Sequence, residues 1–168
     1  MAISIHDQSV LAFSHGLRAL AALLEKARVH AASAGYDVNV LMSTRLFPDM
    51  LPLTRQVQIA TDSAKGGAAR LAGVEAPKWE DSETTLDEVQ ARIRKALDFL
   101  AGFKPAQFEG AESRAIEIKT PSRAYQFNGQ DYLVKWALPN FYFHLTTAYN
   151  LLRHNGVPVG KLDFLAVD

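Results

Sequence analysis

Apolar side chains recur every three or four residues along four separate stretches of this chain, and no other feature limits its fold so strongly. The first stretch places them at Val10, Phe13, Leu17, Leu20, Leu24 and Ala27, which lays one stripe along an amphipathic helix. Ser4 and Asp7 suit its start and Gly35 its end, since glycine accepts the left-handed conformation that closes helices. A second helix follows from Leu53, Val57, Ala60, Ala64, Ala68 and Leu71. Its side chains are mostly small, which permits close approach of a neighbour, and Asp49 as cap, Pro52 in the first turn and Gly73 at the end bound it. Thr85 and Glu88 form a capping-box pair opening a third helix with Leu86, Val89, Ile93, Leu97 and Leu100 inward and Gly102 at its end. The fourth begins near Gly129 and carries Tyr132, Leu133, Trp136, Phe141, His144, Leu145, Ala148, Leu151 and Leu152 before Gly156.

Between the third and fourth helices the period changes to alternation, with Ile116 and Ile118 before "TPSR" and Tyr125 and Phe127 after it. That pattern predicts a short β-hairpin, which must lie on the helices because an isolated hairpin is barely stable. The closing stretch "VPVGKLDFLAVD" reads as extended, with Leu162, Phe164 and Leu165 resting on the helices. The expected architecture is all-α: a four-helix bundle with a small β-hairpin between helices three and four, in one domain over residues 1–168.

Composition narrows the partners. Lysine plus arginine number 18 against 18 aspartate plus glutamate, so no excess charge favours nucleic acid or an anionic membrane surface. The chain has no cysteine, which removes disulfides, thiolate metal sites and cysteine nucleophiles. Met1 to Asp7 lacks the pattern of a secretory signal and no later stretch resembles a membrane span. The expectation is a cytoplasmic protein.

Histidine carries most of the candidate chemistry. Of the five, His6, His15 and His30 have no helical-spacing partner and read as solvated or capping residues, and His154 in the last helical turn suits the helix dipole and free carbonyls. His144 differs, because it lies in mid-helix on the apolar side with Asn140 and Trp136 on the same face. Pro139 removes one backbone hydrogen bond and predicts a kink just before Asn140, and a kink can open a pocket. Asp81 and Glu83 read as charge suited to the start of helix three. Gly66-Gly67 lacks the glycine spacing and preceding strand of a phosphate loop and reads as a close helix contact. Phe141, Tyr142 and Phe143 read as core or dimer contact.

The stretch "NFYFHLTTAYNLLRHNG" (Asn140 to Gly156) resembles the last bundle helix of the DinB-like superfamily, where a histidine, three residues and a second histidine precede an "LLR…G" ending. "RLFPDMLPLTRQVQIATDSAK" (Arg45 to Lys65) and "LRHNGVPVGKLDFL" (Leu152 to Leu165) together look like one branch of it, a domain of unknown function. The resemblance implies an up-up-down-down path and places a metal triad at three positions of metal-binding members. Here His144 occupies the second histidine position, Asn140 the first, and Gln56 stands nearest the third, on the second helix. One imidazole and two amides bind zinc or nickel poorly, so the expectation is no tightly bound transition metal, with His144 the ligand if there is one.

Three functions follow. The first is binding of a small molecule in an inter-helix pocket made by His144, Asn140, Gln56, Trp136 and Asp49. The second, like some members of the superfamily, is a divalent-metal hydrolase or thiol transferase in which Asp49 or Asp62 adds a carboxylate. The third is a homodimeric interaction module meeting its twin through the aromatic surface of helix four.

Overall fold

The computed structural model describes residues 4–167. The first three positions of the stretch read for a signal, Met1 to Ile3, and the last residue of the tail, Asp168, lie outside the described residues. Ser4 Oγ accepts from the Asp7 amide at 3.1 Å, and a π-helical turn over Asp7–Leu11 leads into α1, Ala12–Ala34. Gly35 ends α1 at φ 77°, as its sequence position predicts. Helix α2 spans Leu53–Ala72 and α3 Leu86–Ala101. The Thr85–Glu88 capping box is present. Asp49, by contrast, sits exposed in the turn before α2, whose cap position is Pro52 and has no side-chain bond. The first turn is tied down from further back: the Leu53 amide donates to Thr44 O at 3.0 Å and Thr54 Oγ1 to Met42 O at 3.0 Å.

Strands β1 (Ile116–Lys119) and β2 (Ala124–Phe127) pair antiparallel, Ile116 opposite Phe127 and Ile118 opposite Tyr125. Ile116 and Ile118 are buried beneath the hairpin, and the Tyr125 and Phe127 rings lie against Trp136 with centroids 4.9 and 5.9 Å away. The fourth bundle helix is three segments end to end: α4 (Gly129–Tyr132), a π-helical stretch over Leu133–Ala137, and α5 (Leu138–His154). The regular ladder breaks ahead of Pro139, which itself stands in the first turn of α5 where a missing N–H costs least. The tail is not extended. Lys161–Leu165 form a short helix, α6, because the Asp163 carboxylate accepts from the Gly160 amide at 2.7 Å. Phe164 packs on Tyr149 while Leu162 remains 72% exposed.

The predicted stripes of α1 and α2 are buried along their whole length. The helices pack in the ring α1, α3, α2, α5, with α1 diagonal to α2. They approach closely where the Phe13 ring lies 2.9 Å from the place a Cβ on Gly67 would take. The bundle and its hairpin are those expected, but the chain path is different. Gly67, late in α2, meets Phe13, early in α1, so these two run antiparallel. Arg92 of α3 reaches Thr61 of α2, and both helices begin at the same pole, where the Leu86 amide donates to Asn39 Oδ1 at 2.9 Å. His144 of α5 meets Gln56 of α2, so α5 returns. The path is up-down-down-up. The cause is local: a 3₁₀ turn over Val38–Ser43 reverses the chain at the end of α1, and the long crossover is residues 73–85. A dozen extended residues span up to about 40 Å, ample for a helix the length of α2 at about 1.5 Å per residue.

Candidate functional site

Helices α2 and α5 lie face to face and antiparallel, which brings together two residues 88 positions apart: His144 Nδ1 is 2.7 Å from Gln56 Oε1. Gln56 is 2% exposed and its Nε2 donates to Leu51 O at 3.0 Å. The amide oxygen therefore faces the imidazole, Nδ1 carries the proton, and Nε2 is left with its lone pair. Burial holds the His144 pKa below the ordinary histidine value, and the nearby Arg55 cation lowers it further. The imidazole is thus a neutral acceptor near pH 7. One turn earlier, Asn140 Nδ2 donates to Trp136 O at 2.7 Å, which leaves Asn140 Oδ1 as an acceptor.

Beside His144, a cleft of about 190 Å³ opens between α2, the fourth helix and the hairpin, lined by Asp62, Ser63, Arg70, Ile118, Tyr132, Trp136 and Asn140; His144 and Gln56 do not line it. A second cleft of about 420 Å³ adjoins it toward the crossover, sharing Asp62 and Arg70 and adding Lys78 and Trp79.

Across α2 on the α3 side lies a charge network. The Arg92 side chain is 1% exposed, with Nη2 3.1 Å from Asp62 and 2.9 Å from Asp81 and Nη1 3.0 Å from Glu83. Its Nε donates to Thr61 Oγ1 at 2.8 Å and its Nη1 to Glu80 O at 2.9 Å. Lys65 pairs with Asp62 at 2.7 Å and lies over the Trp79 ring, while Arg55 reaches Asp81 at 2.5 Å. Asp81 and Glu83 therefore do not serve the start of α3 as expected; they hold the crossover onto α2 and α3 through a buried guanidinium.

The family model described as "Domain of unknown function (DUF1993)" matches residues 5–165. The chain belongs to this family. A crystal structure described as that of a DinB family member protein from Shewanella denitrificans is 45% identical in sequence and superposes with a TM-score of 0.91, covering 98% of this chain and 93% of that one. This DUF1993 chain accordingly has the DinB-like fold. No curated protein matches it.

At the positions that the resemblance assigned to a metal triad, the DUF1993 chain carries one imidazole and two amides, and two of the three are already bonded to each other. Among the described residues no group of three or more histidine, cysteine, aspartate or glutamate side chains stands together to hold a metal ion. Asp62 is committed to Lys65 and Arg92, and Asp49 is out in its turn. The donor set does not fit zinc or nickel, which favour several imidazole, thiolate or carboxylate ligands.

Other residues fall differently from their sequence reading. His6 is buried, its ring edge-on to Phe108 at 5.2 Å, rather than solvated. His15 keeps to its reading: it is exposed and bonded to Leu165 O at 2.7 Å at the end of α6. The carbonyl of Leu151 is capped by Asn155 Nδ2 at 2.8 Å, whereas His154 is exposed beside it. Phe141 is fully buried, while Tyr142 and Phe143 are 38% and 58% exposed, so the aromatic run does not form one surface. Sequence reasoning passed over Arg70, Tyr132 and Ser63 as site residues. The available signal was the place of Ser63 and Arg70 two turns apart on α2, the face that also carries Gln56. Among the described residues, no helix is long and apolar enough to cross a membrane.

Proposed function

We propose that this protein binds a small molecule in the cleft between α2 and the fourth helix, and works there without a transition metal. The observation that carries the reading is the 2.7 Å bond between Gln56 and His144. It fixes the tautomer of a neutral imidazole one turn along α5 from Asn140, which lines an open, partly apolar cleft, the usual composition of a ligand site. His144 Nε2 and Asn140 Oδ1 then accept from a ligand hydroxyl or N–H, Gln56 positions the ring, and Trp136 forms a wall. A thermal-shift screen of small polar metabolites tests this. A ligand at about 100 times its Kd adds about 2.7 kcal/mol, several degrees in Tm for a chain this size. The shift should be lost in His144→Ala and Asn140→Leu, and an unchanged shift in both variants would end the reading. Elemental analysis of untagged wild type and His144→Ala checks the metal. A stoichiometric metal lost in the variant would replace this reading with the hydrolase or transferase one.

The exposed Tyr142 and Phe143 side chains support a second reading, a homodimer meeting through α5. Light scattering should then give twice the chain mass for wild type and a smaller mass for Phe143→Ser. A single-chain mass for wild type at tens of micromolar would end it.

A further inference from the structure

Among the arginines of this region, Arg70 alone has no carboxylate partner among the described residues. Arg55, Lys65 and Arg92 each pair with a carboxylate, whereas among the described residues the only polar partner of the Arg70 side chain is the Tyr132 hydroxyl, 3.4 Å from Nη1. That is one long bond for a group with five donors. The guanidinium is nevertheless held in a definite place. It folds back over α2 against Gly66, where a Cβ would lie 2.5 Å from Nη1. A glycine in mid-helix weakens the helix relative to alanine, and here its missing methyl makes the space that the guanidinium occupies. From that position Arg70 lines both clefts at once, the inner one together with Ser63, Asn140, Ile118 and Trp136.

We infer that Arg70, seated on Gly66, receives the carboxylate of a small organic acid whose apolar body lies against Ile118 and Trp136. The inference rests on the cleft proposed above and names the class of its ligand. A guanidinium fork matches a carboxylate with two parallel N–H···O bonds, and charge-assisted bonds of this kind are the strong ones. Asp62 shares the cleft and is the one group that opposes an anion, but Lys65 and Arg92 neutralise it, and Lys78 adds a second cation at the outer cleft. A singly charged acid suits one free guanidinium beside a neutralised carboxylate better than a doubly charged phosphate does. The apolar walls favour a carbon skeleton.

The probe is benzoate, with benzamide as its uncharged twin and inorganic phosphate as the competing anion, followed by amide chemical shifts of the whole chain. Wild type should bind benzoate saturably with shifts centred on Ser63, Gly66, Arg70, Trp136 and Asn140. Benzamide and phosphate should bind at least about tenfold more weakly, and Arg70→Gln should weaken benzoate by about tenfold or more. Gly66→Ala is the second variant. The added methyl meets only the flexible end of Arg70, so Tm should hold or rise while benzoate binding falls, an outcome that loss of folding cannot produce. Equal binding of benzoate to wild type and Arg70→Gln, or tighter binding of phosphate than benzoate, would overturn the inference. If benzamide still binds at Asn140 and Trp136, the cleft reading stands without the acid. If neither probe perturbs the cleft, both fall together.

Discussion

Arg92→Met should lower the free energy of unfolding by roughly 3–5 kcal/mol, the usual cost of removing one partner from a buried ion pair. The lower end applies, because Asp62 and Asp81 keep 39% and 37% of their side chains exposed and water screens part of the charge left behind, whereas Glu83 keeps only 14%. The loss has a pH signature. Burial pushes the Asp81 carboxyl up, and Arg55 and Arg92 more than offset this, so that its pKa lies below the ordinary value. For Glu83, burial again acts upward and the bonds from Gln58 and Arg92 prevail. Carboxylates depressed in the folded state stabilise it above their unfolded pKa of about 4 and lose that contribution as pH falls through the folded values. The gap between wild type and Arg92→Met should therefore be full at pH 7 and narrow below pH about 4. Urea midpoints at pH 7 and pH 3 measure it. A variant within about 1 kcal/mol of wild type at pH 7, or a gap that does not change with pH, would show that the network does not hold the crossover.

The second large effect is at the contact of α1 with α5. Phe141 is fully buried, its ring edge-on to Phe13 at 5.1 Å and 2.6 Å from where a Cβ on Gly16 would lie. Phe141→Ala should cost about 3–5 kcal/mol, toward the upper end, because Gly16 has no side chain that can move into the cavity. The companion change reverses sign with context. In wild type, Gly16→Ala drives a methyl into a buried ring and should cost about 1–3 kcal/mol despite the better helix propensity. In the Phe141→Ala background the same methyl enters vacated space and should stabilise. A double-mutant cycle by chemical denaturation measures this coupling, and additive effects would mean that the two helices relax apart rather than interlock.

The helices were legible because their signals are local. The stripes of α1 and α2, the left-handed glycines after Ala34 and Ala72, and the Thr85–Glu88 box each depend on residues within a few positions of one another. The hairpin followed from alternation in the same way, while its register, Ile116 opposite Phe127, is seen in the structure. The path was not legible, since the reversal at the end of α1 depends on a 3₁₀ turn and on Thr44 and Met42 receiving the start of α2. Asp81 and Glu83 were misread because their proximity to a helix start suggested the dipole, while Arg92 is a turn and a half inside α3 and Arg55 is on another helix. In the site, the Gln56–His144 contact came from resemblance alone; no periodicity connects residues so far apart. Arg70 escaped notice because its significance is a missing partner, and that is visible only when every nearby carboxylate has been placed.

The π-helical stretch over Leu133–Ala137 sets the rotational phase of the fourth helix. Each residue of an α-helix turns the chain by about 100°, and a π turn holds an extra residue without advancing that phase as an α turn would. The helix thereby presents Tyr132 to Arg70 at one end, and Asn140 and His144 to α2 at the other. Winding all the residues of this stretch as uninterrupted α-helix would rotate α4, with the hairpin attached to it, by about 100° relative to α5. The π winding thus absorbs a surplus residue in angle, and it brings the two ends of the cleft to face the same way.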